Sequence, residues 1–144
     1  SIREHYEPAV VRGLQQAATL YPGARELLGR LRAAGLRLGL VSDYRGVPDR
    51  LAALGLTSDE FDYVLVTEEH GAMKPAARMA AATLAGMQLP AAAMVMVGDR
   101  AFADERFAAA AGMRFLGVRA RGAADDTWMP WVAVQARLLA WTGA

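Results

Sequence analysis

The protein is a chain of 144 residues with 16 Lys and Arg, 15 Asp and Glu, and a formal net charge of +1. This length suits one domain, and the 54% hydrophobic content excludes an intrinsically disordered chain. The small net charge gives no electrostatic reason to expect nucleic acid or an anionic membrane as partner, and the absence of Cys excludes disulfides and thiol catalysis. With no apolar run long enough to cross a membrane and no signal-peptide pattern, a soluble cytoplasmic protein is expected.

The apolar pattern along the chain predicts helices that alternate with buried strands. The first 20 residues are predicted to form one amphipathic helix, because Val10, Leu14 and Ala17 fall on one face. Near-continuous apolar runs predict strands of a parallel sheet covered on both faces, at 36–42, 61–66, 93–98 and 114–118. Helices are predicted at 23–34, 47–54, 75–84, 103–111 and 128–141. This alternation predicts an α/β, doubly wound, Rossmann-like domain.

The residues that follow each predicted strand are the candidates for function, because ligands of open parallel sheets bind beyond the C-terminal strand ends. After the third strand, Gly98 permits a tight turn, Asp99 projects from the strand end, and Asp104 lies about one helical turn further on. Two carboxylates held this close repel each other unless a cation or proton intervenes, and such hard oxygen ligands suit Mg²⁺. The competing interpretation is that Asp99 or Asp104 caps a helix, the commoner fate of an Asp in this position.

Two further residues are candidates for binding a phosphate. Lys74 is the single Lys of a chain that otherwise uses Arg, and its compact ammonium suits a phosphoryl oxygen near carboxylates. Ser42 ends the first predicted strand, so its hydroxyl or the following backbone N–H groups could hold a phosphate oxygen. The structural alternatives are a solvated surface Lys and a turn Ser. His5 and His70 lack metal-ligand spacing and are given no role.

Three of these features, in this order, resemble motifs two, three and four of the haloacid-dehalogenase-like (HAD) superfamily. They are Ser42 after an apolar strand, Lys74 before Pro75, and the run VMVGD at 95–99 with Asp104. The likeness covers about residues 20–120. It includes YPGARELL at 21–28, which looks like that family's lead-in from cap to core.

The resemblance implies a Mg²⁺-dependent hydrolase, usually a phosphatase, that works through an aspartyl-phosphate. By the match, Ser42 and Lys74 would bind and neutralise the phosphoryl oxygens, and Asp99 with Asp104 would hold Mg²⁺. Tyr44 and Arg100 are possible substrate contacts from their position alone. The substrate is expected to be a small-molecule phosphate ester, with no nucleic acid and no membrane as partner.

The chain departs from the family at its first motif, an apolar strand near the N-terminus that ends in DxD and carries the nucleophile. No such motif is found, since Asp43 follows a strand but Arg45 occupies the second acidic position. Residues 1–20 are therefore interpreted as a helical remnant of a cap region, and 21–144 as an HAD-like core that lacks its first strand. The strands that flank the gap must then pair directly, or something else must fill it. We expect a C-terminal portion of a longer protein or half of a two-piece enzyme, with an N-terminal segment or a partner chain supplying the strand.

Other functions remain open. A non-catalytic HAD-like binding or oligomerisation domain would keep the fold, although retention of all four phosphate and metal positions speaks against decay. A receiver-type phosphoacceptor module is less consistent, because two predicted strands follow Lys74. A nucleotide-binding domain lacks its glycine fingerprint.

Overall fold

The computed structural model describes residues 9–13, 23–42, 49, 51–52, 55–66, 77–119 and 122–142, with the backbone alone at 9–13. Its strands are β1 (Ala9–Gly13), β2 (Arg37–Ser42), β3 (Tyr63–Val66), β4 (Met94–Gly98), β5 (Arg114–Val118) and β6 (Trp128–Met129). Its helices are α1 (Ala24–Ala33), α2 (Ala77–Met87), α3 (Arg106–Ala111) and α4 (Trp131–Trp141). Short 3₁₀ turns at Ser58–Glu60 and Ala91–Ala93 precede β3 and β4, and a π-helical turn at Ala101–Glu105 leads into α3.

The four predicted strands and four of the predicted helices are confirmed to within about three residues at their ends. Of the fifth helix, predicted at 47–54, the described residues Asp49, Leu51 and Ala52 have helical backbone. The remaining residues of that helix lie outside the described parts of the chain.

All six strands pair in parallel in one sheet, in the order β3-β2-β1-β4-β5-β6. Every residue of β4 is buried, as is every residue of β2 except Arg37, which explains their almost continuously apolar sequences. From the central strand β1 the chain continues through β2 to β3 at one edge of the sheet. It then returns to β4 beside β1 and continues through β5 to β6 at the other edge. Its direction of winding therefore changes between β1 and β4, the place where ligands bind in open parallel sheets.

The N-terminal prediction was wrong where it can be compared with the structure. Residues Ala9–Gly13, expected to lie in a helix, form strand β1, while 1–8 and 14–20 lie outside the described residues. This strand pairs with β2 on one side and with β4 on the other. It occupies the position that was expected to be a gap, and its backbone N–H and C=O groups satisfy those of both neighbours.

Helices cover both faces of the sheet, which confirms the predicted doubly wound α/β class. Helices α1 and α4 cover one face, with Leu31 and Leu138 in its core, and α2 and α3 cover the other, around Phe107. Alternate residues of β4 divide between the two cores, since Val97 belongs to the first and Met96 to the second. The carboxyl ends of the strands are thereby left between two helical layers.

The last predicted helix begins later than expected, because β6 precedes it. The ring of Trp128 lies against Gly117 of β5 so closely that a Cβ at this glycine would overlap it. Asp125 holds the turn before β6, since its Oδ1 accepts the N–H groups of Thr127 at 2.8 Å and Trp128 at 2.6 Å. These two bonds, that of Trp128 first, lower the pKa of Asp125.

Truncating Phe107 to alanine tests the α2–α3 core. Phe107 is fully buried, whereas Phe102 is 67% exposed, so Phe102→Ala is a matched control. We expect Phe107→Ala to lower the free energy of unfolding by about 3–5 kcal/mol, because it leaves a cavity. Phe102→Ala should change it by less than about 1 kcal/mol. Urea unfolding followed by circular dichroism measures both, and equal effects would contradict the described packing.

Candidate active site

Two of the predicted site residues, Ser42 and Asp99, lie at the carboxyl edge of the sheet. Ser42 is the last residue of β2 and is fully buried. Gly98 is the last residue of β4, and Asp99 follows it directly, partly buried. The order of the strands places these two ends on either side of β1.

The register of the sheet shows how the carboxyl ends of β2 and β4 are positioned relative to each other. Gly13 of β1 pairs with Val41, and Arg12 pairs with Val97, so the next positions along the two strands bring Ser42 and Asp99 to the same level. Two strand spacings, about 10 Å, separate the ends of β2 and β4. A ligand bound at this edge would therefore have Ser42 on one side and Asp99 on the other.

The second carboxylate reaches this edge through the π-helical turn. Asp104 is only 2% exposed, and its backbone N–H donates to the Arg100 carbonyl at 2.8 Å. The Arg100 N–H donates in turn to Asp104 Oδ2 at 3.3 Å. The Asp104 side chain also lies against Gly98, where a Cβ would overlap it. Glycine at the end of β4 is thus required for the close approach, and π-helical turns are themselves frequent at functional sites.

The donor chemistry of this carboxylate pair fits a divalent cation. Asp99 interacts with another group of the protein, and its Oδ1 atom is buried and accepts no hydrogen bond from the described residues. The described parts of the chain contain no group of three or more His, Cys, Asp or Glu side chains placed to hold a metal. Mg²⁺ keeps several waters and needs only one or two protein carboxylates, so Asp99 and Asp104 meet its requirement.

Of the remaining predicted site residues, the structure describes Arg100 but not Lys74 or Tyr44. Arg100 is exposed and follows Asp99 at the same edge. The alternative prediction was that Asp99 or Asp104 caps a helix. Asp104 does so in part, because its Oδ2 accepts the backbone N–H of Arg100 at the start of the π-helical turn. The contact between Gly98 and the Asp104 side chain was not predicted from the sequence. It depends on the π-helical turn between them, and no sequence pattern indicates that turn.

The family follows from a comparison with known proteins. Residues 2–112 match the sequence profile of the haloacid dehalogenase-like hydrolases. The chain belongs to this family. The predicted membership of the HAD superfamily is therefore confirmed, and the parallel sheet with helices on both faces is the fold of the family.

Two relatives and one solved structure illustrate the similarity. The chain is 35% identical over 94 residues to a glyceraldehyde 3-phosphate phosphatase of Pyrococcus abyssi, covering 65% of this chain and 40% of the relative. It is 36% identical over 99 residues to a phosphoserine phosphatase of Thermus thermophilus, covering 66% and 39%. The crystal structure of an HAD phosphatase from Thermococcus onnurineus superposes with a TM-score of 0.73 at 25% identity, covering 83% of this chain and 58% of that one.

The matched regions are shorter than the relatives themselves. The chain spans about 40% of the length of the curated relatives that it matches. Among the described residues, no helix is both long and apolar enough to cross a membrane.

Adding one methyl group at Gly98 tests the packing of Asp104. Gly98→Ala places a Cβ against the Asp104 side chain and should lower the free energy of unfolding by about 1–3 kcal/mol. Gly29→Ala is the matched control, because a Cβ at this exposed position in α1 meets nothing within 4 Å. It should raise the free energy by about 0.5–1 kcal/mol, as helix propensity dictates. A Gly98→Ala protein as stable as the Gly29→Ala protein would refute the close approach.

Proposed function

We propose that this chain is part of a Mg²⁺-dependent phosphatase that hydrolyses a small phosphate ester through an aspartyl-phosphate. In this proposal the nucleophilic Asp lies outside these 144 residues. The observation that carries the proposal is the position of Ser42 and of the Asp99–Asp104 pair on either side of the end of β1, where the winding of the sheet reverses. The names of the similar relatives support it, because they are phosphatases of different small phosphate esters.

Each residue has a distinct role in this proposal. The Ser42 hydroxyl donates to a phosphoryl oxygen, and the Lys74 ammonium offsets its negative charge. Asp99, with Asp104 behind it, holds Mg²⁺. Bound Mg²⁺ supplies positive charge against the charge on the transferring group. Arg100 presents an exposed guanidinium beside Asp99, where an anionic part of the substrate would meet it. Tyr44 is proposed to contact the substrate from the segment after β2.

The nucleophile is the part that this chain does not supply. Strand β1 ends at Gly13, followed by Leu14 and Gln15, and no Asp occurs in the sequence before Asp43. An N-terminal segment or a partner chain that brings the nucleophile would have to carry it to the same end of the sheet. We therefore expect the 144-residue chain to bind the phosphate and the cation without turnover of its own.

The absence of an Asp at the end of β1 also favours a second candidate, a non-catalytic HAD-like binding or oligomerisation domain. A phosphohydrolase site with no carboxylate at the end of its central strand can still hold an anion and a cation, because Ser42, Asp99 and Asp104 remain in place. The two candidates differ in one outcome, which is whether activity appears when an aspartate-bearing segment is added. A cytoplasmic location and the absence of nucleic-acid partners stay predictions from composition.

Neutralising each carboxylate tests the metal site. Asp99→Asn should weaken Mg²⁺ binding at least about tenfold, because an amide offers one oxygen and no charge. Asp104→Asn should weaken it less, since one of its oxygens already accepts a backbone N–H. Asp59→Asn, on an exposed 3₁₀ turn, is the control and should leave it unchanged. Isothermal titration with MgCl₂ measures all three. Equal binding by the Asp99→Asn and unmodified proteins would exclude the proposed ligands.

An activity assay tests the role of the missing nucleophile. The chain alone should hydrolyse p-nitrophenyl phosphate no faster than buffer with Mg²⁺. Joined to a segment that carries a DxD motif, the protein should gain Mg²⁺-dependent activity that Lys74→Ala abolishes. Mg²⁺-dependent turnover by the chain alone, lost in Lys74→Ala, would refute the need for a second segment. An upstream sequence without DxD would favour the non-catalytic candidate.

A further inference from the structure

A second concave site lies at the opposite end of the sheet from the candidate active site. It is a cavity of about 280 Å³ between β5 and α4. Its apolar floor includes Val95 and Leu138, both buried, and the half-buried Trp141 forms part of its wall. Arg114 is the first residue of β5, so the cavity opens near the amino ends of the strands. An apolar base with a few polar groups around it is the usual anatomy of a small-molecule site.

The charges around this cavity favour an anion. Arg114, Arg137 and Asp126 line it, and all three are exposed. Two guanidinium groups against one carboxylate leave a local excess of positive charge. Among the described residues, no ion pair joins Asp126 to either arginine, so the guanidinium groups keep donors for a ligand. The guanidinium of Arg114 lies over the ring of Trp141, 5.8 Å from its centroid, which holds it at the cavity wall.

The cavity shares no lining residue with the candidate active site. All of its lining residues except Val95 lie beyond residue 112, where the match to the hydrolase family ends. The loop that carries Asp126 is held by the hydrogen bonds of its neighbour Asp125 to the backbone of Thr127 and Trp128. The site is therefore built from the C-terminal β5–β6–α4 region, on a floor fixed by the core.

We propose that this cavity binds a small aromatic anion, a carboxylate or a phosphate monoester. Its acidic group lies between Arg114 and Arg137, whose planar forks match either oxygen-bearing group. Its ring packs on Trp141 and Leu138. Asp126 repels an anion at the rim and therefore weakens the binding that the two arginines provide. The proposal is independent of the proposed phosphatase function.

A titration of the full chain observes this site directly. The chain has three Trp residues, so ¹⁵N-labelled protein gives three indole N–H signals, and Trp141→Phe identifies the one at the cavity. Benzoate and phenyl phosphate should shift that signal in a saturable way, with Kd of about 1 mM or tighter. Inorganic phosphate, which lacks a ring, should bind about tenfold more weakly than phenyl phosphate. Benzylamine, an aromatic cation of similar size, should not saturate it.

Matched variants separate this site from non-specific anion binding. Arg137→Gln and Arg114→Gln should each weaken benzoate binding about tenfold, whereas Arg30→Gln, at an exposed position of α1, should leave it unchanged. Asp126→Asn should tighten phenyl phosphate binding about two- to fivefold, by removing repulsion. The other amide signals report whether each variant is folded. No saturable shift with either anion, equal binding of benzylamine, or equal losses in Arg30→Gln and Arg137→Gln would overturn the proposal.

Discussion

The pairing of β1 with both of its neighbours is the constraint on which the rest of the structure depends. Five residues, Ala9–Gly13, join two halves of the sheet that are wound in opposite directions. If they were absent, the facing backbone groups of β2 and β4 would be buried without partners, at about 1–3 kcal/mol each. The same five residues set the spacing between Ser42 and Asp99, so the geometry of the candidate site follows from a central strand that supplies none of its acid groups.

A second constraint acts at the end of β4, where the backbone must pass very close to a carboxylate. The π-helical turn carries Asp104 back toward the strand, and only glycine at position 98 leaves room for it. Stability and site geometry are thus linked at a single residue. An acid group whose position is fixed by packing is already oriented when a cation arrives, so little ordering is needed on binding.

The sequence predicted the parts of the fold that depend on local pattern. Buried parallel strands are almost continuously apolar, and β2, β3, β4 and β5 were found for that reason. Strand β1 was missed because Val10 and Leu14 also match the spacing of a helix, so its pairing, a tertiary effect, decided the outcome. Strand β6 was missed because two residues carry no periodicity. The order of Ser42, Asp99 and Asp104 in the sequence predicted the candidate site, whereas the contact of Asp104 with Gly98 arises only in three dimensions.

The division between matched and unmatched sequence has a consequence for how this protein could diversify. The last helix contributes Val134 and Leu138 to the core, yet it lies past residue 112, where the match to the family's sequence profile ends. A descendant that kept those two apolar anchors could exchange the surrounding surface residues freely. Ligand preference at one pole of the molecule would then evolve without disturbing chemistry at the other.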